Sequence, residues 1–89
     1  MDMVDVLMKD LSSVYKKYKD IVNLIEDPAT SVQQRVALYG EEFVVVMDIA
    51  SIHEDLVDLL AEMKKTDPLR AARLKKQADS YLMTEAFYV

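Results

Sequence analysis

Between Val4 and Ile25, apolar residues recur at Val4, Leu7, Leu11, Val14, Tyr18, Ile21 and Ile25, in steps that alternate between three and four. This spacing tracks one side of an α-helix and does not alternate as a half-buried strand would. Met8, Tyr15 and Val22 widen the stripe, while Lys9, Asp10, Ser12, Ser13, Lys16, Lys17 and Lys19 fill the other faces. A helix with one such stripe must bury it against another element, and the rest of the chain offers helices to do so.

The first helix is predicted to stop at Glu26-Asp27-Pro28-Ala29-Thr30-Ser31, because Pro28 cannot continue a helix and biases Asp27 out of the helical region. Two starts compete for the second helix. Asp27 can cap it with Pro28 in the first position. Ser31 can cap it instead, with Gln34 closing a capping box. Either connection is short, so the first two helices are expected to be antiparallel neighbours.

The second segment, about 32–65, carries two apolar stripes. One is Val36, Tyr39, Phe43, Val46, Ala50, His53, Val57 and Leu60. The other is Leu38, Val45, Ile49, Ile52, Leu56, Leu59 and Met63. They lie roughly 100° apart around the helix. Glu41, Asp48, Asp55 and Glu62 recur every seventh residue on the remaining face. The run Phe43-Val44-Val45-Val46 favours a strand, and Gly40 before it weakens a helix by about 1 kcal/mol, so a kink or break here is the competing expectation. The third helix has a clean start, with Asp67 as cap and Pro68 in the first position. Its apolar face of Leu69, Ala71, Ala72, Leu74, Ala78, Tyr81 and Leu82 is rich in alanine. The chain closes on Ala86-Phe87-Tyr88-Val89, an apolar stretch expected to fold back onto the helices.

These elements define an all-α fold: a three-helix antiparallel bundle, formed by a helical hairpin and a shorter third helix, in one domain over 1–89. The helices are expected at about 4–25, 32–65 and 68–86. The chain has one glycine and two prolines, too few for a sheet with many tight turns. Its hydrophobic share is 52%, above the usual apolar share, which suggests extra apolar surface for self-association or a partner, so a homo-oligomer or obligate complex is expected.

The second helix locates the excess. At roughly 50 Å it is longer than its neighbours, at about 33 Å and 30 Å, so part of its apolar surface is left over. Val45, Ile49, Ile52, Leu56, Leu59 and Met63 are the expected partner-binding residues, because the alanine-rich third helix covers their stripe poorly. The partner is another protein chain, identical or different. An adaptor, chaperone-like protein or inhibitor fits this reading. A self-assembling homodimer or scaffold component is the alternative, and a DNA-binding regulator using the Asp67–Tyr81 helix ranks third.

Signals for chemistry are weak. His53 is the only histidine, and its place on an apolar stripe favours a core or interface role over that of a base or ligand. His53-Glu54 lacks a second histidine, so the zinc-protease pattern fails, and no carboxylate stands three residues before His53 for a di-iron bundle. No glycine turn organises the acidic stripe into a calcium loop. No enzyme, cofactor or metal is expected. The net charge is −5. Residues 26–67, with ten acids and three bases, carry −7, whereas residues 68–89 carry +2. An acidic chain repels phosphate backbones, so nucleic acid is disfavoured, and the basic residues of the first and third helices are expected to pair with the acidic stripe. No apolar run reaches the roughly 18–20 residues of a membrane span. The absence of cysteine and the acidic start, Met1-Asp2-Met3-Val4-Asp5, suggest a reducing, cytoplasmic setting.

Overall fold

The computed structural model of the chain describes residues 2–82, and these form three helices: α1 (Met3–Glu26), α2 (Val32–Met63) and α3 (Pro68–Ser80). No strand is present among them. Asp2 caps α1 by accepting a hydrogen bond from the Asp5 backbone N–H. The competition for the start of α2 is decided for Ser31. Its hydroxyl accepts from the Gln34 N–H at 3.1 Å, and the Gln34 side chain accepts from the Ser31 N–H at 2.9 Å, a reciprocal capping box. Asp27 instead ends α1, and its carboxylate accepts from the Ala29 N–H to shape the turn. Arg35 reaches back from α2, donating to the carbonyls of Ile25 and Asp27 at 3.1 Å each. Those carbonyls lie at the end of α1, where backbone acceptors lack helical partners and negative dipole accumulates.

α2 runs unbroken through Gly40 and the Phe43–Val46 run. The strand preference of that run is overridden by packing, since Val45 is buried against α1 and helical geometry is what puts it there. Asp67 caps α3 by accepting from the Arg70 N–H, with Pro68 in the first turn as expected. α3 is shorter than expected. It ends at Ser80, and Tyr81 and Leu82 form a turn in which both N–H groups bond back to Ala78 and Asp79. The expected continuation over 83–86 and the apolar stretch 86–89 lie outside the described residues.

The core consists of Val4, Leu11, Tyr18 and Ile21 of α1, Val45, Ile49, Leu56 and Leu60 of α2, and Ala78 of α3. Leu7, Val14 and Ile25 pack on it, so the whole stripe of α1 faces inward. No polar or charged residue is buried among the described residues, so burial carries no desolvation penalty from stranded charge. The helix packing has the character of a bundle, with α1 and α3 each packed against α2.

Candidate interaction surface

The placement of the two α2 stripes differs from the sequence expectation. Val45, Ile49 and Leu56 are 2%, 0% and 0% exposed and form the seam with α1. Ile52, Leu59 and Met63 are half-buried and pack on the same core. The six residues expected to meet a partner are therefore largely occupied within the chain. The physical reason is that α1, with 24 residues, is long enough to lie along most of α2, and its heptad stripe takes the most aliphatic side of its neighbour.

Met3, Val6 and Leu24 of α1 and Leu69 of α3 are exposed, and on α2 the exposed large apolar side chains all lie in its first half, on or beside the other stripe. Val32, Val36, Tyr39, Phe43, Val44 and Met47 are each between 55% and 73% exposed. Val32, Val36, Tyr39, Phe43 and Met47 fall within an arc of roughly 80° on one side of α2, facing away from α1. The second half of this stripe is covered. Val57, Leu60, Ala61 and Lys64 share a cavity of about 300 Å³ with Pro68, Ala71, Ala72 and Lys75 at the seam with α3. Apart from Lys64 and Lys75, the lining of that cavity is apolar. Beside the exposed row, Lys17 of α1 and Ala37, Gly40, Glu41, Val44 and Val45 of α2 line a shallow groove.

His53 sits at the α2–α3 seam, half-buried, with Nε2 2.8 Å from Asp79 Oδ1. Lys75 donates to Asp79 Oδ2 at 2.9 Å. The Lys75 ammonium, and after it the His53 imidazole, hold the Asp79 carboxyl below the usual aspartate range. The His53–Asp79 contact joins α2 to α3 at this seam. No group of three or more potential metal-binding side chains gathers among the described residues.

The basic residues pair differently from the sequence expectation. Arg70 donates to Asp5 at 3.2 Å and to Asp2 at 3.4 Å, which ties the start of α3 to the start of α1. The Asp5 backbone N–H, and behind it Arg70, hold the Asp2 carboxyl low. Lys19 lies 5.3 Å over the Tyr15 ring, and Tyr15 meets Tyr81 edge-on at 5.0 Å, joining α1 to the end of α3. On the acidic stripe of α2, Glu62 pairs only with its neighbour Lys65 among the described residues, and no ion pair joins Glu41, Asp48 or Asp55 to α1 or α3. The nearest carboxylates for Arg70 and Lys75 were on the helix ends and on α3 itself, closer than the far side of α2.

No helix among the described residues is long and apolar enough to cross a membrane. The chain matches no family model, and comparison with curated proteins and with solved structures gave no significant match.

Proposed function

We propose that the chain is a protein-binding module without chemistry of its own, and that its partner docks along the N-terminal half of α2. The observation that supports this reading is the row of exposed Val32, Val36, Tyr39, Phe43 and Met47. Exposed apolar patches of several hundred Å² mark interaction surfaces, and aromatics on them are the usual anchors. In this reading the three helices form an antiparallel bundle. Three pairings support that arrangement: the end of α2 beside the start of α3, His53 beside Asp79, and Arg35 beside the end of α1. An adaptor, a chaperone-like protein or an inhibitor is the class that fits, and a cytoplasmic setting suits a chain with no cysteine.

The test is affinity capture from the cell of origin with wild type, Tyr39→Asp and Asp55→Lys. A polypeptide held by wild type and Asp55→Lys but lost with Tyr39→Asp is the expected result. If Tyr39→Asp retains every polypeptide that wild type holds, the docking face lies elsewhere.

A further inference from the structure

We propose that the cavity between α2 and α3 is a binding site for a free single-chain carboxylate, with its alkyl chain between the two helices and its carboxylate at Lys64. The site lies on the covered half of α2 and is separate from the docking face on the other half.

The cavity follows from the composition of α3. The residues that α3 buries are Ala71 and Ala78. Leucine or isoleucine would fill the groove between two packed helices, whereas alanine on both of them leaves room. Ala61 on α2 and Ala71 and Ala72 on α3 line the resulting space, with Val57 and Leu60 as its larger aliphatic walls. Its volume is about 300 Å³, at the small end of ligand pockets. Eight residues line it, where a specific protein–protein interface engages roughly 20–30 on each side. A small molecule with one narrow apolar chain matches that size, and a protein surface does not.

Charge selects the head group. Two lysines and no acidic residue line the cavity, although the whole chain carries 16 acidic residues against 11 basic ones. Lys75 donates to Asp79 at 2.9 Å, so its charge is already shared with a carboxylate. Lys64 forms no ion pair among the described residues. It caps the end of α2, and Ala61 and Val57 follow one and two turns back on the same side of the helix. An anion at Lys64 therefore meets a charge that the described chain leaves uncompensated, and an alkyl chain attached to it runs over Ala61 and Val57. The adjoining groove, lined by Ala72, Lys75, Lys76, Asp79 and Ser80, continues along α3 with two bases to one acid. A cationic amphiphile in the same space would set like charge against Lys64 and Lys75.

Titration of the full chain with decanoate, held below its micelle concentration and followed by two-dimensional NMR of the backbone amides, tests the site, with decyltrimethylammonium as the cationic probe. Decanoate is expected to shift the amides of Val57, Ala61, Lys64, Ala71 and Ala72 to saturation, and decyltrimethylammonium to bind about tenfold or more weakly. Ala61→Trp fills the cavity from an exposed position, and Lys64→Glu reverses the free charge. Each is expected to weaken decanoate binding by about tenfold or more, and Tyr39→Asp to leave it unchanged. Circular dichroism confirms that each variant stays helical. The absence of saturable shifts in wild type overturns the proposal. Equal binding of the cationic probe overturns it too, as does decanoate binding that survives Ala61→Trp or Lys64→Glu. Shifts confined to Val36, Tyr39, Phe43 and Met47, with binding lost in Tyr39→Asp, place the amphiphile on the docking face and exclude the cavity, while the protein-binding reading keeps its own test by capture.

Discussion

The two halves of α2 are alike in sequence and different in surroundings. Both carry two apolar stripes on the same helical period. From Ile49 to Met63 the helix lies between α1 and α3, and Ile49, Leu56 and Leu60 are buried. From Val32 to Met47 it meets α1 and not α3 among the described residues, and Val45 is the buried residue there. The difference comes from helix length. α2 has 32 residues, about 48 Å, whereas α3 has 13, about 20 Å, and starts beside the end of α2. An apolar stripe is therefore not a core residue list. It becomes core only where another element runs alongside.

The largest contrast between the halves is in stability. Leu56→Ala removes a side chain with no exposure, and is expected to cost about 2–5 kcal/mol in urea unfolding. Phe43→Ala is expected to cost less than about 0.5 kcal/mol when unfolding is measured on monomers, although phenylalanine is the larger side chain. A Phe43→Ala cost similar to that of Leu56→Ala would erase the distinction between the halves.

Smaller effects sharpen it. Ser31→Ala removes the cap that starts the exposed half and is expected to cost about 1 kcal/mol. Gly40→Ala is expected to raise the stability of the monomer by up to about 1 kcal/mol, since the added methyl meets open space and the helix gains propensity. A loss of monomer stability would mean that the chain itself packs against Gly40. The covered half also responds to acid. Asp79 is held low by Lys75 and His53, so its contribution is complete above the ordinary aspartate pKa of about 4 and fades as pH falls below it. Asp79→Asn is expected to flatten the decline of stability below about pH 4, by an amount kept small by solvent around the carboxylate. An unchanged decline would assign the acid sensitivity to other groups.

Much of the fold was legible because it is written in local chemistry. The heptad stripe of α1, Ser31 with Gln34, and Asp67 with Pro68 each act within a few residues, so sequence alone locates them. The end of α3 was not legible, because its alanine face shows no stop signal at Ser80. The identity of the exposed stripe was harder. Both stripes of α2 are apolar enough to be core, and the choice between them depends on which side α1 takes. The reach of α3 decides which part of α2 stays open, and that reach follows from its end, which carries no signal in the sequence. Its 13 residues reach about the level of His53, so Val36, Tyr39 and Phe43 lie beyond it. The ion pairs were missed for a similar reason. Charge balance says that acids and bases attract, but only the packed helices bring Arg70 to Asp2 and Asp5.

The most direct measurement of the proposed docking face is affinity capture from the cell of origin with wild type and Phe43→Asp, with circular dichroism confirming that the variant stays helical. The account predicts a polypeptide that wild type holds and Phe43→Asp loses. A variant that keeps every polypeptide held by wild type would contradict a docking face at Tyr39 and Phe43.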